Sequence, residues 1–572
     1  MIPLLKGEGG PKGRVRGAVT VPFLYPSPAA SRHPLPSGEG FARKHYSNME
    51  ESAPAVNPHP NINPWLIAVS VMFATFLEVL DTTIVNVSLP HIAGSLSATP
   101  EEATWALTSY LVANAIVLPL TGWLSAFFGR KRLLTLAVTG FTATSFLCGL
   151  APTLPFLVVF RLLQGLTGGV LQPMSQAIML EAFPPEKRGR AMAFWALGIV
   201  VAPILGPVLG GWLTDNYSWR WVFYVNIPIG VISVFMTRAF IFDPPYMKDM
   251  KRRVDGVGIG LLAVGIGALQ FLLDKGQTED WFDSNLIRAL AVASASALVL
   301  FIIHALVAKD PVLDLRVLKD RTYSTGVFMM TVLGFVLFGS LVMLPLFLQT
   351  VLGYPALQAG IAMAPRGIGS FLAMPLVGIL MSKIDPRKML ATGLVIAGVT
   401  LYMLSDINLN AGYWDIFWPQ LLQGASMGLL FIPLSTMSMA SISREKMGNA
   451  TSLFNLMRNL GGGLGIAFVA TSVSRSATVH GAILAERLNP YSPQSQAAVN
   501  GARSLFMARG SDWNTATSQA YGVLYGMIQR QAAMIAFIDI VRFLGVIFIL
   551  IIPLILIMRR PPSGGSPPPG AH

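Results

Sequence analysis

Charge is what this sequence has least of. Only 12% of its 572 residues are Asp, Glu, Lys or Arg, where a soluble domain carries roughly 25%. So few charges cannot cover a water-facing surface over a chain of this length, which excludes an ordinary soluble fold. Cysteine is nearly absent as well. Cys148 stands alone in an apolar run, so no internal disulfide can form. No CxxC, HExxH or cluster of histidines occurs, and no metal site or cofactor is expected. No GxxxxGK[ST] occurs either, so a P-loop does not couple this chain to ATP. No soluble domain holds a catalytic constellation, and an enzyme is not expected.

What is abundant is apolar sequence. Hydrophobic residues make up 53% of the chain, and the mean hydropathy is +0.58. The formal net charge of +13 would suggest nucleic acid in a soluble protein. Here the basic residues sit in short clusters between apolar runs, so they orient the chain in a lipid bilayer and no nucleic-acid partner is expected. Residues 1–60 differ in kind. They are rich in Pro, Gly, Ser and Arg without apolar periodicity, which reads as a disordered extension. They lack the apolar core of a signal peptide, and Met49 opens a tidier start. A second disordered tail is expected over 561–572.

A bilayer core of about 30 Å needs roughly 20 apolar residues per helix. Such runs lie near 65–89, 105–126, 133–150, 156–180, 191–213, 220–242, 256–273 and 286–307, then near 324–348, 357–381, 389–405, 415–440, 449–473 and 534–558. The fold class is therefore all-α integral membrane with fourteen spans. Alternate loops test the count. One set carries Arg130, Lys131 and Arg132; Lys187, Arg188 and Arg190; Lys248, Lys251, Arg252 and Arg253; Lys309, Arg316, Lys319 and Arg321. The same set continues with Lys383, Arg387 and Lys388; Arg444 and Lys446; Arg559 and Arg560. The opposite short loops hold only Arg220, Lys275 and Arg288. Missing one helix would reverse this asymmetry downstream, so both termini are expected in the cytoplasm. The segment 475–533 lies on the other side, and its last part reads as an outward extension of the final helix.

The chain repeats itself. LLQG at Leu162–Gly165 answers LLQG at Leu421–Gly424, and EKRGRA from Glu186 answers EKMGNA from Glu445, both at a shift of 259 residues. GWLSAFFGRKRLL from Gly122 pairs with GILMSKIDPRKML from Gly378. Two six-helix bundles in parallel repeat explain this, with the two spans at 256–307 inserted between them. The expected domains are 61–243, a linker with two additional spans at 244–322, and 323–560.

These features together resemble the major facilitator superfamily, in its fourteen-helix drug:proton antiporter branch of the EmrB/QacA type, over roughly residues 65–560. GWLSAFFGRKRLL is similar to the superfamily's loop motif, in which Gly122 and Gly129 permit close approach and a tight turn, and Arg130, Lys131 and Arg132 fix the face and lock one conformation. Ala126 stands where that motif carries Asp, which puts its usual latch in doubt. VVFRLLQGLTGG resembles the motif whose intramembrane arginine, here Arg161, assists proton coupling; snorkelling to the nearer interface is the alternative. GIVVAPILGPVLGGWL resembles the antiporter motif, with Pro203 and Pro207 removing backbone donors and Gly206, Gly210 and Gly211 removing bulk. Glu78 and Asp81, at i and i+3 in the first span, resemble the branch's acidic first-helix motif. Two carboxylates in a low-dielectric cavity cannot both ionise cheaply, which suits a proton carrier; pairing with Arg161 or Arg458 is the structural alternative. LFNLMRNLGGGLGIA adds Arg458 between Asn455 and Asn459. Arg366, and Asp539 with Arg542, are further charges, the last two placed to neutralise each other.

The resemblance implies a proton-motive-force-driven multidrug exporter in a bacterial inner membrane, taking varied amphipathic compounds and needing no cofactor beyond the proton gradient. Another cargo in the same fold, such as a lipid, siderophore or amino acid, is the alternative. Gln164, Gln172, Trp195, Asn226, Gln349 and Gln423 are candidates for a substrate cavity. EmrB-type members of double-membraned bacteria work with a periplasmic adaptor protein and an outer-membrane channel, for which 475–533 offers a docking surface; it serves equally as a cap on the last helix.

Overall fold

A computed structural model describes residues 63–244, 254–486 and 491–558. The expectations for 1–60 and Met49, for Lys248, Lys251, Arg252 and Arg253, for Arg559 and Arg560, and for 561–572 lie outside the described residues. Among the described residues there is no strand.

Among the described residues, fourteen helices are long and apolar enough to cross a bilayer. They are α1 (Pro64–Ser95), α2 (Trp105–Phe128), α3 (Arg130–Leu150), α4 (Leu154–Ala182), α5 (Pro185–Asn216), α6 (Trp221–Phe240) and α7 (Gly256–Lys275). Then come α8 (Asn285–Val307), α9 (Arg321–Thr350), α10 (Gln358–Leu380), α11 (Pro386–Ser405), α12 (Tyr413–Ser438), α13 (Arg444–Glu486) and α14 (Trp513–Ile557). Each matches one apolar run of the sequence.

Four of the seven spans that begin at the basic-loop end, α1, α7, α9 and α11, start on a side-chain cap. The side chains of Asn63, Asp255, Asp320 and Asp385 accept hydrogen bonds from the backbone N–H of Trp65, Gly258, Tyr323 and Arg387. Each cap satisfies a donor that the helix itself leaves free, and a carboxylate there also complements the helix dipole.

Packing repeats along with sequence. In the first bundle α1 lies on α5, α2 on α4, and α3 on both α4 and α6. In the second, α9 lies on α13, α10 on α12, and α11 on both α12 and α14. The α7–α8 pair packs together, and α7 rests on α2 of one bundle and α13 of the other. At the end away from the basic loops, Lys275 Nζ donates to Thr104 Oγ1 over 2.7 Å, Thr108 donates to Asp274, and Trp281 Nε1 donates to Thr471 Oγ1 over 3.0 Å.

The segment 475–533 is helical where described. α13 continues to Glu486, the helix Pro493–Ala508 packs on the extended start of α14, and Asp512 caps that start. Asp539 and Arg542 do not neutralise each other. Asp539 pairs with His480 across 2.8 Å, and Arg542 donates to Ser405 Oγ over 3.2 Å. Three residues of helix rotation point the two side chains at different neighbours.

Candidate functional site

The first site lies wholly inside the first bundle. Arg161 and Asp81 are both fully buried and pair at 2.5 Å. Every element around them contributes. Arg161 Nε donates to the Ala106 carbonyl over 2.9 Å, and Arg161 Nη1 donates to Gln164 Oε1 over 2.8 Å. Gln164 Nε2 and Asn226 Nδ2 donate to Asp81 Oδ1 at 3.0 and 2.8 Å, and both reach Ser145 Oγ. The guanidinium lies 4.3 Å from the Tyr110 ring centroid. Arg161 therefore does not snorkel. A charge pair this deep is tolerable because the lone pairs of Asp81 accept from the Gln164 and Asn226 amides as well as from Arg161, while Arg161 Nη2 makes no hydrogen bond.

Glu78 goes elsewhere. Although i and i+3 share a helix face, they lie about 60° apart around the axis, and here that is enough to part them. Glu78 is buried, and its Oε1 accepts from Asn114 Nδ2 over 3.1 Å, while Oε2 has no hydrogen bond. Arg458 of the opposite bundle and Asp81 are the charged groups close enough to act on it. The two carboxylates thus form two sites rather than one shared proton site.

Arg458 belongs to a polar stripe on α13 that meets the first bundle once per turn. Arg458 Nη2 donates to Gln172 Oε1 over 2.5 Å, Asn455 Nδ2 to Gln176 Oε1 over 2.5 Å, and the Gly122 N–H to Ser452 Oγ over 3.0 Å. One turn further on, the Asn449 backbone packs so tightly on Gly122 that a Cβ there would lie 2.8 Å from it. The repeat places a second close approach opposite. A Cβ on Gly378 would lie 2.7 Å from Ala193 Cβ and 3.2 Å from the Gly189 carbonyl oxygen. Gly189 and Gly448 are equivalent in the two EK loops, and Gly122 and Gly378 in the two loop motifs. Trp195, which donates to Thr75 Oγ1 over 2.9 Å, stacks on Phe431 of α12 across the same boundary. The bundles are closed against each other at the basic-loop end.

The basic loop motif is anchored without an Asp at position 126. Arg130 forms a two-pronged pair with Glu181 at the end of α4, the Nη2–Oε1 arm being 2.6 Å. Asp243 accepts from the Lys131 N–H over 2.9 Å. Its carboxylate sits where a side chain on Gly129 would project, and Gly129 has φ +83°, a conformation that favours glycine. Lys131 Nζ lies over the Phe242 ring, and Arg132 is exposed.

In the fifth span, α5 runs unbroken through Pro203 and Pro207. Gly206 and Gly210 are the contact positions. A Cβ on them would meet Thr83 Oγ1 at 2.2 Å and the Ile84 carbonyl oxygen at 2.6 Å. Gly211 has ordinary room, its nearest neighbour being Val87 at 3.8 Å.

The cavity candidates divide three ways. Gln164 and Asn226 are consumed by the Asp81 network, and Gln172 and Trp195 belong to the contact between bundles. Gln423 is buried in the second bundle beside Gln420. Gln349 is exposed near the far end of α9 and joins none of them. Asn114, Ser145, Gln176, Glu181 and Asp243 went unread in the sequence. Only the polar character of Asn114 and Gln176 inside apolar runs pointed to them.

Comparison with known proteins agrees with this architecture. A family described as Major Facilitator Superfamily matches residues 71–466. The chain is 39% identical over 490 residues to Fatty acid resistance protein FarB of Neisseria gonorrhoeae, covering 86% of this chain and 95% of that one. It is 35% identical over 508 residues to Multidrug export protein EmrB of Escherichia coli K12, covering 89% and 98%. Among solved structures, the human organic anion transporter MFSD10 superposes with a TM-score of 0.56 at 12% identity, over 86% of this chain and 100% of that one.

Proposed function

The chain belongs to the Major Facilitator Superfamily, in its EmrB-type branch of drug transporters, and from that premise we propose a proton-driven exporter of structurally varied amphipathic compounds. It is a multi-pass protein of a bacterial inner membrane. The basic loops, and with them both chain ends, face the cytoplasm.

The observation that carries the coupling is the placement of Glu78. It is a buried carboxylate at the boundary between bundles, half satisfied, and opposed by a cation on the other bundle. Intramembrane acids of this kind default to proton or ion pathways. When ionised, Glu78 attracts Arg458 and holds the bundles together at the cytoplasmic side. A proton arriving from outside removes that attraction, which loosens the polar stripe and favours opening inward. Release of the proton inside and capture of a substrate restore the closed contact, so proton and substrate move in opposite directions. Asp81, locked by Arg161, keeps α1, α4 and α6 in register.

In proteoliposomes, an acid-outside gradient is expected to drive accumulation-resistant dye export, with several unrelated amphipaths competing. Glu78→Gln is expected to uncouple it. Gradient-driven transport at the wild-type rate in Glu78→Gln would remove this residue from the mechanism. Exposed Tyr521 and Tyr525, one turn apart on the outer part of α14, suit docking by a periplasmic adaptor, which co-purification with an adaptor would test.

A further inference from the structure

The contact at the basic-loop end is built twice, and its two copies are not held alike. On one side the backbone of Asn449 closes on Gly122. On the other, Arg190 takes the equivalent place at the repeat shift of 259 residues, its Cα lying 3.3 Å from a Cβ built on Gly378. The Arg190 side chain is exposed. That of Asn449 is half-buried and committed. Its Oδ1 accepts from the Asp314 N–H over 3.0 Å, and its Nδ2 donates to the Asp314 carbonyl over 2.9 Å. One amide thus matches both backbone groups of one residue.

Asp314 lies in 308–320, a strap that leads from the inserted α7–α8 pair into α9 and is fastened along its length. The Val312 N–H donates to Asp255 Oδ2 over 3.0 Å, and Asp255 Oδ1 shares a hydrogen bond with His304 Nε2 at 2.8 Å. Those two bonds tie the strap to the start of α7 and the last turn of α8. Arg316 Nη2 donates to the Leu306 and Ala308 carbonyls at 3.3 and 3.1 Å, and Val312 and Leu313 are buried. Past the strap, Tyr323 Oη donates over 2.8 Å to the carbonyl of Ala450, the residue after Asn449. Lys446 adds an exposed ion pair to Asp314 at 3.6 Å, a contribution of little weight.

The chain enters α13 through a single 3₁₀ turn, Arg444–Lys446, and helix starts of this kind fray unless something orders them. Closing on Gly122 needs the Asn449 backbone in one place, and a backbone left free would lose that freedom at each closure. We propose that Asn449 is a positioning residue of the gate. Its side chain clasps the strap, its backbone stands ready for Gly122, and through this clasp the α7–α8 pair stabilises the state closed to the cytoplasm. Only one of the two contacts is held this way, so the inserted pair acts on half of the gate. This rests on the two-access reading of transport and not on the cargo.

Protein in nanodiscs, spin-labelled at Lys187 and Lys383 and free of substrate, tests it through the distance distribution. Asn449→Ala keeps the backbone and removes the clasp. The ratio of long to short distances should rise about tenfold, as the loss of two ordinary hydrogen bonds implies. Asn449→Asp keeps the bond from the Asp314 N–H and should raise the ratio by less. Asp255→Ala, which releases Val312 and leaves the Asn449 amide in place, should shift it in the same direction. Arg190→Ala, at the equivalent place in the other contact, should leave it at the wild-type value. An unchanged ratio in Asn449→Ala or in Asp255→Ala overturns the proposal, as does an equal rise in Arg190→Ala. Should the alanine chain fail to fold, Asn449→Asp decides alone, and an unchanged ratio there counts against the clasp. A wild type that exports no dye would sink the export reading and leave this ratio untouched, so the two failures are distinct.

Discussion

The two bundles share one plan and differ at its centre. In the first, Asp81, Arg161, Gln164, Ser145 and Asn226 join in a hydrogen-bonded network around a fully buried pair. In the second, the same register carries Ser340, Gln420 and Gln423, the arginine, Arg366, comes from a different helix, and among the described residues no acid pairs with it. Duplication supplied the geometry, and divergence turned one copy into a strut and left the other unsatisfied. A fold built twice can thus hold rigidity and adaptability at equivalent points.

Breaking the strut should have the largest effect. Asp81→Ser leaves Arg161 buried and unpaired and is expected to cost about 3–5 kcal/mol, read as a large drop in melting temperature of detergent-purified protein. Adding Arg161→Gln, which writes the second bundle's residues into the first, should recover a substantial part of that loss. Equal melting of the single and double variants would mean the network is not held by the pair.

The contact between bundles comes next. Gly122→Ala puts a Cβ 2.8 Å from the Asn449 backbone, and overpacking of that kind costs about 1–3 kcal/mol. Because the strain exists only when the basic-loop ends are closed, the variant should populate the opposite access state. Spin labels at Lys187 and Lys383 should then report a longer distance. Gly378→Ala should act with the same sign through Ala193. An unchanged distance in both would show that the contact is not part of the gate.

Glu78→Gln sharpens the comparison differently. It should abolish gradient-driven transport and leave melting within about 1 kcal/mol of wild type, whereas Asp81→Ser harms both.

The smallest effect concerns the inserted pair. Burial alone would raise the Asp255 carboxyl, but hydrogen bonds from the Gly258 and Val312 N–H groups and from His304 outweigh it and hold it below its ordinary value of 3.8. A depressed value means the contribution is present at neutral pH and is lost as pH falls through the folded-state value. Asp255→Asn is expected to cost about 1 kcal/mol as a weakened cap. That deficit should vanish in melts carried out below the ordinary aspartate range.

The helices, their order and the repeat were legible because each rests on composition summed over some twenty residues, where lipid imposes a strong and local rule. The pairing of Asp81 with Arg161 was legible only as one alternative, since the partners lie 80 residues apart. Separation of Glu78 from Asp81 was not legible, because helical spacing says that two side chains share a face and not which neighbour each meets. The replacement of the missing acid at Ala126 by Glu181 was equally hidden, since it comes from another helix. The register of the repeat did contain the Ser340–Gln420–Gln423 set, and extending it by one residue before LLQG would have found Gln420.

α13 has a mechanical consequence. Its α-helical part, Met447–Glu486, runs 40 residues without interruption, a rod of about 60 Å at 1.5 Å per residue. Its first turns are gripped by Gly122, Gln176 and Gln172, and its tip stands beyond the bilayer. A tilt of about 5° at the grip would swing the tip by about 5 Å over that length. A change of a few ångströms among glycines on one side of the membrane is thereby delivered, as leverage, to whatever touches the other.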